Sequence, residues 1–400
     1  MTRTVRARFL FDRREVRGVN APLASATKDG VSLRSDAENA VWNPGDDVSL
    51  YKLVEPDDFV IGLRSFQHGL ARSQVRGLVS PAYTVLRART KDVVPGYFAF
   101  YFRSAPLIAA LDNLSQGIRQ GRTIPYEPFS DLRFPVPSGE EQCRIAAFLD
   151  DQTLRLDRAL ALRQQQVDML EARLQSTIDS LGAGIHRSLV GAPRIKAGHL
   201  IRVLPGYAFP SSDFSTTTGQ RLLRGINVGV RSTSWNEVVY WTGHDPDVER
   251  RFSLQVGSVV MGMDRPWIGA GLRITRLTEE DLPALLLQRV AHLIPGPRVD
   301  AAYMCWAFQA RRFRTEVEGQ LTGLSVPHLS GEQISAYRLP IPDMPTQERV
   351  ATELDDLASA TASARAALAR SQALLMERKQ TLITAAVTGQ FDVTTARAVA

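Results

Sequence analysis

Five sets of residues in this chain have types that could do chemistry, and each fails on spacing or on company. Pro342-Asp343 with Glu377-Arg378-Lys379 has the residue types of a PD…ExK metal-dependent nuclease. Both parts fall on a stretch that reads as one long helix, ~50 Å apart at 1.5 Å rise per residue. Metal-ion chemistry needs those carboxylates side by side. Asn43-Pro44-Gly45 opens like the N-P-P-aromatic motif of amino-methyltransferases but lacks the second proline and the aromatic. The six histidines (His68, His186, His199, His244, His292 and His328) are scattered, and no H-E-x-x-H occurs. Cys143 and Cys305 are too few for a disulfide framework or a four-thiolate zinc site. Asp150-Asp151 and Asp355-Asp356 read as solvated positions on a helix, or as acidic contacts for a partner. A nucleotide motor is excluded by the lack of a G-x-x-x-x-G-K-[ST] loop. No catalytic residue and no metal site are expected in this chain.

Charge is distributed in blocks. The net charge is +6, and only five of the 48 basic residues are lysine. Residues 1–133 carry about 19 basic and 14 acidic side chains, and residues 191–338 about 17 and 13. The intervening 134–190 carry about 6 and 8, and 339–400 about 6 and 7, so the positive excess sits in two separated blocks. No run approaches the ~20 apolar residues of a membrane span, and the basic N-terminus leads into no long apolar segment. A cytoplasmic location is expected.

The alternation follows an internal repeat. Phe134-Pro-Val-Pro-Ser-Gly-Glu-Glu-Gln-Cys-Arg-Ile-Ala-Ala-Phe-Leu-Asp-Asp151 recurs, offset by 205 positions, as Leu339-Pro-Ile-Pro-Asp-Met-Pro-Thr-Gln-Glu-Arg-Val-Ala-Thr-Glu-Leu-Asp-Asp356. The match continues ungapped to Gly184 and Gly389, with about 15 of 51 positions identical. An ungapped match of this length preserves helical phase. Ser138 with Glu141, and Asp343 before Pro345, supply N-terminal caps. Each helix then runs ~40 residues, or ~60 Å. The second places Val350, Leu354, Leu357, Thr361, Ala364, Leu368, Ser371, Leu375, Arg378, Leu382 and Ala385 at four–three spacing, a coiled-coil seam. Leu149, Leu156, Leu160, Val167, Leu170, Leu174, Ile178 and Leu181 form a looser stripe interrupted by Arg163. The two helices are expected to pack antiparallel on each other, because each carries the chain from one globular block to the other.

The blocks themselves show short β-like runs such as Val48–Val54, Phe59–Leu63, Val238–Trp241 and Val256–Met261. Helical patches at Tyr97–Leu111 and Ala301–Glu318 sit late in each, before the Gly121–Pro125 and Gly323–Pro327 turns. The boundaries drawn from this are 1–137, a helix over 138–185, 186–338, a second helix over 339–391, and a tail over 392–400.

The duplicated pattern Pro135-x-Pro137…Glu141-Gln142-x-Arg144-Ile145 and Pro340-x-Pro342…Gln347-Glu348-Arg349-Val350 resembles the repeated helical regions of Type I restriction–modification specificity subunits. The ending Arg378–Val393, the segment Gly206–Phe214 followed by Leu222-Leu-Arg-Gly-Ile-Asn227, and Gly77-Leu-Val-Ser-Pro-Ala-Tyr83 are similar to further segments of that family. Gly182-Ala-Gly184 departs from the fuller Ala-Ala-Val-Thr-Gly ending. The resemblance implies an α+β fold: two mixed α/β target-recognition domains joined by two long helices in an antiparallel coiled coil, a pseudo-twofold repeat. It implies a non-catalytic subunit that reads a bipartite, asymmetric site on double-stranded DNA. Two modification (methyltransferase) subunits and motor–restriction subunits would be its partners. S-adenosylmethionine, ATP and Mg belong to those partners, and this chain is expected to bind no cofactor.

Basic lobes attract phosphate, while Arg, Asn and Gln on loops read base edges. The candidates in the first block are Arg64, Arg72, Arg76, Arg119 and Arg122; in the second, Arg221, Arg224, Arg231 and Arg265, with Asn227 and Trp235 as base-reading or stacking groups. Each arginine is equally readable as a solvated surface residue or a structural ion pair, and Trp235, Trp241, Trp267 and Trp306 read as core. Gln142, Arg144, Gln347 and Arg349 are the candidate partner-docking residues. The rival readings are a coiled-coil scaffold with protein-binding heads, an enzyme with a hidden site in one head, and a specificity subunit of a methylation-only or exclusion system.

Overall fold

Apolar residues alternating along short strands build one four-stranded antiparallel sheet in each lobe. In the computed structural model, which describes residues 3–27, 30–36, 48–62, 68–115, 124–320 and 327–394, the chain forms two compact units. One comprises residues 1–164 with 368–400, the other residues 165–367. These units differ from the boundaries drawn from the sequence, because each lobe holds the start of one long helix and the end of the other.

In the first unit the strand order is Phe11–Arg14, Thr84–Ala88, Phe59–Ile61, Ala71–Arg72. In the second it is Ile201–Pro205, Val290–Pro295, Val259–Gly262, Ile274–Arg276. The topology is the same, so the lobes share a framework that their diverged sequences conceal. Side chains on a strand point alternately to opposite faces, and both faces are covered. Phe11, Phe59 and Leu86 meet a helical layer, while Val60, Ala71 and Val85 join a smaller cluster with Ala24 and Val31. Val259, Met261 and Leu293 in the second lobe likewise face the helices, and Val260 and Val290 the other side. The helical patches each break into a pair: Pro95–Tyr101 with Ala105–Leu114, and Ala301–Phe308 with Arg311–Val317. Edge-on aromatic contacts lock them, Phe59 to Phe102 at 4.9 Å and Phe308 to Phe313 at 5.0 Å. The lobes differ in what is inserted between the first and second framework strands in chain order. The first carries there the hairpin of Ala24–Thr27 with Gly30–Leu33 and the strand Lys52–Val54, which pairs with Gly77–Val79 further along the chain; the second contributes part of a further sheet of short strands.

The long helices span Gly139–Ala183 and Met344–Val387. Ser138 Oγ accepts the Glu141 N–H at 3.2 Å and Asp343 Oδ1 the Thr346 N–H at 3.1 Å, the caps read from the sequence. The second helix begins five residues later than expected. Arg338–Pro340 is a strand paired with Arg194–Lys196, as Arg133–Val136 is paired with Arg3–Arg6. Both helices end where a left-handed glycine follows, Gly184 at φ 74° and Gly389 at φ 75°. Gly182 is required by close approach: a Cβ there would lie 2.1 Å from Ala310 Cβ.

Within each unit the helices run antiparallel. Asp157 pairs with Lys379 at 2.7 Å and Gln164 with Gln372 at 3.4 Å in the first, and Glu171 with Arg365 at 3.2 Å in the second. Every residue of the expected seams is buried or half-buried except Arg378, which is exposed. Seam residues near the helix ends are buried most deeply, because a lobe covers them: Leu149 in the first unit, Leu174, Ile178, Leu181, Val350 and Leu354 in the second.

The repeat has a buried polar counterpart. Gln142 Nε2 donates to the carbonyls of Asp92 (2.8 Å) and Pro137 (3.0 Å), and its Oε1 accepts the Val94 N–H (3.0 Å). Gln347 does the same with Arg298 (3.1 Å), Pro342 (3.0 Å) and the Asp300 N–H (2.9 Å). Both side chains are buried. Polar residues at the repeat looked like surface, but these two amides are sealed inside, so neither docks a partner.

An ionic cluster in the first lobe consumes two of its arginines. Arg14 and Arg87 both bond Glu55, at 2.8 and 2.5 Å, and both bond the buried Asp58, at 3.3 and 2.9 Å. Bonds from Arg14 and Arg87 hold the Glu55 carboxyl down at about 2.

Two predictions follow from these contacts. Gln347→Ala strands an N–H and two carbonyls, and each unpaired buried group costs about 1–3 kcal/mol. A clear drop in the urea midpoint is expected, and an unchanged midpoint would show that the amide contributes nothing. Glu55 has a folded pKa below its unfolded one, so its stabilisation is complete above the ordinary carboxylate range and is lost as pH falls towards 2. Melting temperatures followed from pH 6 to pH 3 should therefore fall less steeply in Glu55→Gln than in the native chain.

Candidate nucleic-acid interface

Sheet geometry gathers four short segments of the second lobe at one corner. The strands Val259–Gly262 and Val290–Pro295 are neighbours, so the residues just after the first and just before the second lie together. The Met263 N–H donates to the Arg289 carbonyl at 2.9 Å, and the Gln288 N–H to the Tyr207 carbonyl at 2.9 Å. The Arg265 N–H donates to the Pro327 carbonyl at 2.8 Å, and Asp264 bridges His328. Tyr207, Arg265, Gln288, Arg289 and the residues beside His328 thus share this corner. Arg265, Gln288 and Arg289 are exposed.

Two of those arginines hold unusual backbone. Arg265 has φ 43° and Arg289 φ 68°. A side chain with a Cβ in the left-handed region costs on the order of 1–3 kcal/mol, and such residues concentrate at functional sites. Asp264 lies between them in space. Its Oδ2 accepts from Arg289 Nη1 at 2.6 Å and its Oδ1 stands 2.7 Å from His328 Nδ1. Burial pushes the Asp264 carboxyl up, but the bonds from His328 and Arg289 outweigh it and hold it below its ordinary value. Arg273 Nη1 ties the Asp264 carbonyl at 3.0 Å. The corner presents fixed cations and an amide, which suits a polyanion with readable edges.

The other residues singled out from the sequence are dispersed. Asn227 is buried: its Oδ1 accepts the Arg224 N–H at 3.0 Å, and its Nδ2 donates to Ser234 (2.8 Å) and Glu237 (3.1 Å) carbonyls. It closes a loop and cannot read a base. Arg221 stacks over the Trp235 ring at 4.8 Å and bonds the Pro283 and Glu280 carbonyls, so it braces the lobe. Trp235 in turn donates to the buried Asp281 at 2.9 Å. The Arg224 guanidinium faces Glu237 at 4.0 Å. Arg231, also left-handed at φ 61°, points elsewhere: it stands over Trp306 at 5.9 Å and lines a cavity of about 1020 Å³ against the second unit's helices.

In the first lobe Arg76 is exposed and Arg72 is paired with Asp57 at 2.6 Å. Arg72 lies opposite Phe59, the register position that Arg276 occupies opposite Val259. Arg276 bonds Asp355 at 2.6 Å, and Trp306 Nε1 donates to the same carboxylate at 2.8 Å. Asp355 is therefore an anchor between lobe and helix and not the solvated position it resembled. Asp150, its repeat counterpart, has its carboxyl pushed up by burial against the opposing charge of Arg72. Arg72 thus belongs with the helix start. Arg64, Arg119, Arg122, Asn43-Pro44-Gly45 and most of the Gly121 and Gly323 turns lie outside the described residues. Arg144 and Arg349 are exposed, each beside an acidic residue of its own helix, Glu140 and Glu353. Arg289 and Gln288 were missed by sequence reading. Two polar residues between the apolar runs Ala284–Leu287 and Val290–Leu293 signal a turn, but nothing in them signals the left-handed arginine.

No family model matches the chain. It is 32% identical over 164 residues to the Type I restriction enzyme EcoAI specificity subunit of Escherichia coli, across 40% of this chain and 27% of that protein. It is 23% identical over 298 residues to the MjaVIII specificity subunit of Methanocaldococcus jannaschii, across 70% of this chain and 68% of that one. The chain therefore matches about a quarter of the length of the first relative and about two thirds of the second. Among solved structures, a chain from work on complex assembly and conformational transition of the type I R-M system aligns with a TM-score of 0.75 at 14% identity, over 98% of both chains. The HsdS subunit from Thermoanaerobacter tengcongensis aligns with a TM-score of 0.55 at 16% identity, over 98% of this chain and 97% of that one. Both relatives are Type I restriction enzyme specificity subunits, and the HsdS subunit shares the fold of nearly the whole chain.

Proposed function

We propose that the chain is the non-catalytic DNA-specificity subunit of a Type I restriction–modification system. Each lobe reads one half of a bipartite, asymmetric site on double-stranded DNA, and the two long helices set the gap between the halves. The observation that carries this reading is the duplication of one framework, sheet plus helix start, beneath loops that differ. A shared frame with different loops is what two readers of unlike half-sites require. The positive excess of both blocks supports it, since cations exchange for counterions on the phosphate backbone. In the second lobe the corner holding Arg265, Gln288 and Arg289 is the reading surface; in the first, Arg76 and the segments around Arg64, Arg119 and Arg122 take that role.

Partner subunits supply the chemistry: two modification subunits that methylate adenine with S-adenosylmethionine, and motor–restriction subunits that use ATP and Mg. Leu154, Leu162, Leu374 and Met376 are apolar and exposed on the helices of the first unit, where partner helices would bury them. Arg144, exposed beside Glu140 on the first of these helices, would flank such contacts; Arg349, bonded to Ser188 and Glu353, holds the corresponding place in the second unit. The chain is assigned to the cytoplasm, where its DNA and partners are.

Removing one heptad from each helix, in register, keeps both lobes and the seam while shortening the spacer by ~10 Å. The expected outcome, read by mapping the methylated sites, is a changed gap or loss of function, with each half-sequence unaltered. An unchanged gap would end the spacer assignment.

A further inference from the structure

At this corner Arg289 has a carboxylate, that of Asp264, fastened to it from below. Asp264 occupies its Nη1, which leaves the Nε–Nη2 edge of the guanidinium intact, and the side chain remains 67% exposed. His328 holds the other oxygen of Asp264, and the Arg273 guanidinium holds its carbonyl, so the support is itself fixed. The left-handed backbone at φ 68° sets where the arginine leaves the strand.

A phosphate and a base edge respond differently to such a group. An approaching phosphate meets the charge of Asp264 along with that of Arg289, and like charges at this range repel. A guanine edge brings no net charge. It offers two acceptors, O6 and N7, whose spacing matches a guanidinium fork. An arginine braced by a carboxylate is thus biased towards a neutral, two-acceptor edge, and away from the phosphate that an unbraced surface arginine takes.

We propose that Arg289, buttressed by Asp264, reads a guanine in the half-site of the second lobe. The inference rests on the DNA-reading role assigned above and deepens it by naming the base. It makes Arg289 and Asp264 specificity-determining residues, with Asp264 acting through Arg289.

The test uses the full-length chain and a pool of duplexes randomised across the recognition site, selected by binding at fixed salt. Native chain should select guanine at one position of one half-site. Arg289→Lys keeps the positive charge but loses the fork, and it should weaken that single preference by about 10- to 100-fold. The other half-site and the salt dependence of binding should stay as they are. Asp264→Asn, close in shape, should lose part of the same preference. Retention of every base preference by Arg289→Lys overturns the proposal. So does a uniform loss across sequences in Arg289→Ala with a salt slope shallower by about one phosphate, the mark of a backbone contact. A native chain that selects no bipartite sequence fails earlier, because it removes the DNA-reading role itself.

Discussion

A pair of buried side-chain amides governs how this molecule is put together. Gln142 and Gln347 each join three backbone groups: the residues that lead from the sheet into the helical layer, and the last turn before a long helix. Each amide is sealed from water, where an unmet bond is expensive, so the phase of the helix relative to its lobe admits little variation. This accounts for the ungapped repeat. An inserted residue between Pro137 and Gln142 would rotate the whole helix by about 100° and turn its seam away from the partner. The glutamine recurs at the same step of both copies because the same three groups need it.

With the frame fixed, the far corner of each sheet can vary. In the second lobe this corner carries Arg265, Gln288 and Arg289, all three exposed. The arginines sort accordingly. Arg276 and Arg72, at one register position, work towards the helices, while Arg14, Arg87 and Arg221 are consumed by ion pairs, carbonyls and a tryptophan face. Arg265 and Arg289 stay exposed at the corner, on strained backbone, around the carboxylate of Asp264 that Arg289 and His328 hold in place. Among the described residues, several of the basic side chains that give the lobes their charge are thus committed to the fold.

The long helices, their caps, their glycine stops and the seam were legible in the sequence, because each is a local or periodic signal repeated twice. The common sheet was not. Its strands are two to six residues long and their pairing partners lie far apart in the chain, so no window contains the evidence. Polar residues misled in both directions. Gln142, Gln347 and Asn227 look like surface groups, yet their value lies in buried bonds to backbone atoms that only the fold brings near. Asp355 looked solvated, yet it holds Arg276 and Trp306. Arg289 illustrates the converse: its type was visible among many arginines, but its left-handed backbone and its carboxylate support are products of tertiary structure.

Two separable readers on one frame is the central claim, and an exchange of one lobe tests it most directly. The chain would be expressed with its modification subunit after residues 190–333 are replaced by those of a relative, and methylated adenines mapped across the genome. The account predicts that one half of the methylated motif changes while the other half and the gap between them persist. A motif that changes in both halves, or in neither, would contradict it.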